Sequence, residues 1–279
     1  MTWDSLHLAA TDRRSGSAVV AQRAAGAFAE IAVSLSQDVI VDAVRILVQG
    51  QPLMASCLRL ADAVLRGLEE DGPPGANRAA GGFVHKLEDE RAALVSSLGQ
   101  KLPREGAVLT VSASSTVLGA LLDRPQLRVV CAVSEPGGEG RTAADVLRGG
   151  GVDAQVIPDG AIAQQSTRVD AIVIGADVLG PAAILNKSGT LAAALGARAA
   201  GRPCICAAGT SKLIDEATWV SLASVADRLA VEGVRVFEEV PSALVTSFVT
   251  EDGVTSTRSL RRASRTHHLH PRIAAWLEG

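Results

Sequence analysis

Asp177, Lys187 and the pair Gly189-Thr190 stand within one stretch, Val169 to Thr190, VDAIVIGADVLGPAAILNKSGT. A carboxylate, an ammonium and a helix start so close together could hold a polar phosphate ester. The run Asp170–Gly175 carries Ile172, Val173 and Ile174, the pattern of a strand buried on both faces. Asp177 then follows the carboxyl end of that strand, where ligands sit in open parallel sheets. A helix Leu191–Ala200, opened by Gly189-Thr190, would offer free N–H groups and the positive end of its dipole to an anion. Asn186 and Lys187 precede it, and Gly189 would let the backbone approach a ligand. Gly209-Thr210-Ser211-Lys212 follows the next strand and offers Lys212 as a second cation. That segment lacks phosphate-loop spacing, and no dinucleotide fingerprint appears. No cofactor is expected.

The surrounding elements must hold these groups in place. Ser15 to about Glu70 reads as helices, from apolar residues at three- and four-residue steps such as Val20, Ala24, Phe28 and Ile31. The segment 71–82, DGPPGANRAAGG, has the composition of a linker. Phe83–Leu102 reads as an amphipathic helix whose charged run Lys86–Arg91 faces solvent. From Gly106 the rhythm changes. Strands are expected at Ala107–Val111, Leu127–Val133, Ala154–Ile157, Asp170–Gly175 and Pro203–Ala208, with helices at Ser115–Leu122 and Thr142–Leu147 between them. Alternation of this kind predicts a parallel sheet with crossover helices. The fold class is therefore α/β, with a helical domain over 1–102 and a Rossmann-like parallel-sheet domain over 103–279.

Composition narrows the function. The chain has 279 residues, 47% of them hydrophobic, which suits a large packed core. Aromatics make up 3% and the net charge is -3. Both features argue against nucleic-acid binding, which relies on stacking and on basic surfaces. No apolar run reaches the ~20 residues of a membrane span, and residues 1–15 carry no signal-like apolar core. The cysteines Cys57, Cys131, Cys204 and Cys206 lack zinc spacing. Cys204 and Cys206 alternate on one face of a strand, and reduced thiols in a cytoplasmic protein are expected. The basic tail Arg258–His270 holds His267, His268 and His270, read as solvated rather than metal-binding.

An ordered set of short motifs resembles one family. These are Thr110-Val111-Ser112-Ala113-Ser114-Ser115-Thr116-Val117, Glu139-Gly140-Arg141, Gly175-Ala176-Asp177, Asn186-Lys187-Ser188-Gly189-Thr190, and Phe237 to Pro241 with Thr250-Glu251-Asp252-Gly253. The chain over about 102–253 resembles the translation initiation factor 2B regulatory subunits. Enzyme relatives of that family are methylthioribose-1-phosphate and ribose-1,5-bisphosphate isomerases. The resemblance implies a helical domain, a Rossmann-like domain and a homodimer; pairing through the C-terminal half is expected, with the apolar stretch Ala243–Val249 as added support. It also implies that Asp177 matches the isomerases' catalytic aspartate, against the plainer reading of a cap after a strand.

Ser112 stands where the isomerases carry a catalytic cysteine. A hydroxyl is a far weaker acid than a thiol and needs an adjacent base, so Ser112 is read as binding rather than reacting. Ser112, Ser114 and Ser115 fall at a strand-to-helix turn, suited to capping and to donating to phosphate oxygens. The resemblance also implies a phosphate-contacting arginine where Glu135 stands, so either Glu135 faces solvent or the ligand differs from a sugar bisphosphate, and Arg141 is the surviving cation unless it pairs with Glu139. The expected protein binds a phosphorylated sugar or nucleotide and is regulatory. The alternative is a sugar-phosphate aldose–ketose isomerase working through Asp177.

Overall fold

The computed structural model describes residues 2–13, 15–34, 36–231 and 234–278. The chain opens with helices α1 (Thr2–Thr11), α2 (Ser17–Ser34), α3 (Gln37–Gly50) and α4 (Ala55–Lys101). Their apolar stripes face one another: Ala24, Phe28 and Ile31 of α2 and Ile40, Val44 and Leu47 of α3 are all buried. The helix α4 turns a corner. Asp71 (φ −147°, ψ 30°) and Gly72 (φ 59°, ψ −154°) leave helical geometry, and Pro73 and Pro74 start a second limb. Proline suits a first turn, where its missing N–H would have no partner anyway. A Cβ on Gly67 would stand 2.5 Å from the Gly75 carbonyl oxygen, whereas a straight helix would hold these residues about 12 Å apart. The segment 71–82 is thus a tight corner and the first turns of a helix, not the linker its composition suggests.

After α4 the chain alternates. In order come β1 (Gly106–Val111), α5 (Ser115–Leu122), β2 (Leu127–Ala132), α6 (Glu139–Gly149), β3 (Asp153–Ile157), α7 (Ile162–Ser166) and β4 (Ala171–Ile174). Next are β5 (Val178–Leu179), β6 (Ala183–Lys187), α8 (Thr190–Ala199), β7 (Cys204–Ala207) and α9 (Glu216–Arg228). The chain finishes with β8 (Phe237–Pro241), β9 (Ser247–Thr250), β10 (Gly253–Thr255), α10 (Thr257–Ser264) and α11 (Pro271–Glu278). The main sheet runs β10-β9-β7-β4-β1-β2-β3 and is parallel from β9 to β3, with β10 antiparallel at the edge. The expected parallel pairing holds, as Thr110 opposite Cys131 and Val108 opposite Ala171 show. The stretch between Asp177 and Asn186 is not among the expected strands. It instead forms a second, antiparallel sheet, β5-β6-β8.

Three apolar cores result. One face of the main sheet packs Leu109, Ile172, Cys204 and Cys206 against Ala193 and Ala197 of α8. The other face packs Val108, Val129 and Ile205 against α5, α6 and the Leu94, Leu98 and Leu102 end of α4. The third core belongs to the helices, and C-terminal elements close it: Leu222 and Val225 of α9, Leu269, and Ile273 and Leu277 of α11. The stretch proposed as a dimer face is spent inside the chain, since Leu244, Val245, Phe248 and Val249 are buried. The tail is docked rather than solvated. Arg59 donates to the carbonyls of His267, His268 and Leu213. His268 pairs with Asp215, and His270 Nε2 lies 2.9 Å from Glu69 Oε1. Among the described residues, no helix is long and apolar enough to cross a membrane.

Candidate functional site

The chain leaves β1 towards β2 and β3, then returns to place β4 on the other side of β1. Such a reversal opens a crevice at the carboxyl ends of the two strands. Ser112 follows β1 there with φ 64°, and Ser134 follows β2 with the same angle. Left-handed backbone at a serine costs of order 1–3 kcal/mol and persists where neighbours enforce it. Here Ser112 N donates to Ser134 Oγ at 2.8 Å, while Asp159 accepts from the N–H groups of Ser134 and Glu135 at 2.7 and 2.8 Å. Ser114 caps α5, its Oγ accepting from Val117 N at 3.4 Å, and Ser115 begins that helix. Gly175 has no side chain because a Cβ would stand 2.9 Å from Ser114 Oγ.

Beyond β4 lies Asp177. Its backbone joins Ala55 N at 3.1 Å and Leu185 O at 2.9 Å, tying the start of α4 to the small sheet. Burial pushes its carboxyl group above the usual aspartate range, against the opposing pull of Lys212, the neighbouring Ser17 hydroxyl and Lys187. Ser17 Oγ is buried without a hydrogen bond of standard geometry. Lys212 reaches in from the far side and donates to the Ala176 carbonyl at 2.5 Å. Lys187 is the last residue of β6 and is 4% exposed, so it is no surface lysine. Its Nζ meets Glu139 Oε1 at 2.8 Å. Asn186 is structural in this state: its amide donates to Thr190 Oγ1 at 2.9 Å, which in turn donates to the Lys187 carbonyl at 2.6 Å.

The helical part supplies the opposite wall. Glu90, placed by the charge pattern on a solvated face, is 7% exposed. It enters past Gly209, where a Cβ would overlap its carboxylate at 1.8 Å. Burial pushes Glu90 upward, against hydrogen bonds from Ser211 N at 3.0 Å and Ser211 Oγ at 2.7 Å. Arg13 and Arg91 join it. Between these walls is a cavity of about 430 Å³ that gathers Ser112, Ser114, Ser115, Asp177, Asn186, Lys187 and Lys212.

Arg141 and Gly189 are not brought to the cavity. Arg141 is 63% exposed and lies 3.7 Å from Glu135, its partner in place of Glu139. Glu135 therefore faces solvent, 59% exposed. The start of α8 is also not free for an anion. Glu238 of β8 occupies it, accepting from Leu191 N at 2.8 Å and from the N–H groups of Gly189 and Thr190. Gly189, with φ 98°, serves the turn and packs on Ile162. The N-terminus of α5 lines the cavity, as do the starts of α2 at Ser17 and of α6 at Glu139. Glu90, Glu139 and Glu238 carry no local sequence signal for these placements, because each partner lies tens of residues away.

The initiation factor 2 subunit family profile matches residues 14–257. The chain is 29% identical over 161 residues to a ribose 1,5-bisphosphate isomerase of Archaeoglobus fulgidus, covering 56% of this chain and 51% of that protein. The chain thus spans about half the length of that relative. It is 27% identical over 216 residues to a putative translation initiation factor eIF-2B subunit 2-like protein of Pyrococcus horikoshii, covering 72% and 75% of the two chains. Among solved structures, a P. horikoshii translation initiation factor eIF-2B superposes with a TM-score of 0.77 at 24% identity, covering 91% of this chain and 96% of that one. A 5-methylthioribose 1-phosphate isomerase from the same organism gives 0.68 at 20%, covering 94% and 86%. The extent of the family match, together with this fold, means that the chain belongs to the initiation factor 2 subunit family.

Proposed function

We propose that this protein binds a phosphorylated sugar or nucleotide in the cavity between helices and sheet and does not isomerise it. The observation that carries this reading is the combination of hydroxyls and cations there without a thiol. Ser112 stands where the resemblance puts the isomerases' cysteine, and no cysteine lines the cavity. The described cysteines are all buried; burial pushes Cys131 up to about 11 and Cys204 up to about 12, well away from a reactive thiolate. The phosphate would lie at the first turn of α5, where N–H groups have no intrahelical partner. Ser114 and Ser115 would donate to it, with Arg91 and Lys212 supplying charge. As the family resemblance implies, the chain would act as a regulatory homodimer, through a surface other than 243–249.

The second reading is an aldose–ketose isomerase. It is favoured by Asp177, a carboxyl group in the cavity that burial raises above the usual aspartate range, and by relatives named as such isomerases. A proton must move between two carbons in that reaction, and a single acid–base group contributes about 10²–10⁴-fold. A sugar monophosphate such as D-ribose 5-phosphate should therefore raise the melting temperature of the wild type, and ribose 1,5-bisphosphate should not be turned over by it. Ser112→Cys should retain binding and can gain turnover. Wild-type turnover abolished in Asp177→Asn would establish the isomerase instead.

A further inference from the structure

The buried pair Glu139–Lys187 has a feature that a structural ion pair would not need. Glu139 is 9% exposed, and its Oε1 takes the Lys187 ammonium at 2.8 Å. Its other oxygen, Oε2, is buried with no hydrogen-bond partner. An unsatisfied buried acceptor is costly, and both residues line the cavity. The backbone has also made room for this carboxylate. A Cβ on Gly137 would stand 2.3 Å from Glu139 Oε1 and 2.9 Å from Oε2. A side chain at position 137 would thus push the carboxylate off Lys187.

We propose that Glu139 is a specificity-determining residue that cancels the charge of Lys187, so that the cavity accepts a phosphomonoester whose other end donates a hydrogen bond, and disfavours a second phosphate. This inference rests on the phosphate-binding reading above and refines it. A second phosphate at Lys187 would have to displace Glu139 from its partner, or lie beside a carboxylate in a site shielded from water, where like charges repel strongly. A hydroxyl or amino group there adds no negative charge and leaves the ion pair intact, and a small turn of the carboxylate off Gly137 lets that group donate to Oε2. The single anion goes to the α5 end, where Ser114, Ser115 and Arg91 stand and no carboxylate of the pair intervenes.

The test compares D-ribose 5-phosphate with ribose 1,5-bisphosphate by titration calorimetry on the wild type, Glu139→Gln and Gly137→Ala. The wild type is expected to bind the monophosphate at least as tightly as the bisphosphate. Glu139→Gln keeps the shape and removes the charge, so it should tighten the bisphosphate at least tenfold and change the monophosphate less than threefold. Gly137→Ala should shift the ratio the same way by displacing the carboxylate. A wild type that binds the bisphosphate ten times more tightly overturns the inference even if neither variant folds. An unchanged ratio in a folded Glu139→Gln overturns it while leaving the phosphate site intact. Failure of all three proteins to bind either compound overturns the phosphate reading and this inference with it.

Discussion

Asp177 holds a carboxyl group where burial makes its charged form expensive. Its folded-state value is raised, so the folded chain keeps a proton that the unfolded chain gives up from about pH 4 upward. Stability then falls as pH rises through the window between the two values, because the folded state is the one binding more protons. Glu90 is shifted the same way by burial. Asp215 opposes them: despite its burial, the Thr218 hydrogen bonds and His268 hold its carboxyl below the usual range, so its contribution is lost on acidification. Asp177→Asn removes one titration and keeps the shape. Melting curves should show the variant above the wild type at pH 8, with the gap closing towards pH 4. Parallel curves would mean that Asp177 is not the strained group. The sequence placed Asp177 correctly at the end of its strand, since strand-end position follows from a local apolar run. It misplaced Glu90, because the run Lys86–Arg91 has the look of a solvated face. The burial of Glu90 depends on Gly209, more than a hundred residues on, where only hydrogen can stand beside the carboxylate.

The helix α4 shows what an element can and cannot reveal in its own sequence. Buried strands such as β1, β2, β4 and β7 are legible because their apolar runs are local and their faces nearly uniform. Cys204 and Cys206 face one core, and Ile205 and Ala207 face the other, as strand alternation requires. The corner at 71–74 is not legible in this way. Glycine and proline signal a break, but whether the chain then wanders or restarts a helix depends on what the second limb packs against. The small sheet was missed for a related reason: β5 is a two-residue strand, and its pairing with β6 depends on the fold around it. Gly72 adopts φ 59° and ψ −154°, a region open essentially to glycine alone, and the nearest atom to a built Cβ is 3.6 Å away. The cost of Gly72→Ala is thus conformational and not steric. It should lower the unfolding free energy by about 1–3 kcal/mol, read from the urea midpoint. Pro73→Ala, which removes rigidity but forces no strain, should cost less than about 1 kcal/mol. Equal effects of the two would argue that the corner is not fixed by Gly72.

At the scale of the whole molecule, the question is whether helices and sheet unfold separately. The sequence suggests two units, with a change of rhythm near Gly106. The packing joins them from both directions: the end of α4 lies on the sheet core, while α9 and α11 close the helical core. Arg59 adds polar ties, its guanidinium held by carbonyls of the tail and of Leu213. Two probes separate the parts cleanly. The chain's three tryptophans, Trp3, Trp219 and Trp276, all pack against the helical core. Labelling of Cys131, Cys204 and Cys206, followed peptide by peptide so that Cys57 of the helical core is read apart, reports the opening of the sheet in which these three are buried. Ile273 of α11 is fully buried in the helical core. Truncating it leaves a cavity, and Ile273→Ala should cost about 2–5 kcal/mol. If the molecule is one cooperative unit, fluorescence and thiol labelling should give coincident urea transitions in the wild type. The substitution should then move both midpoints equally, although Ile273 lies in the helical core and the three cysteines lie in the cores of the main sheet. Should the fluorescence midpoint fall while thiol labelling stays in place, the helices and the sheet would be independent folding units. The cavity between them would then be expected to open by local unfolding of the helical wall.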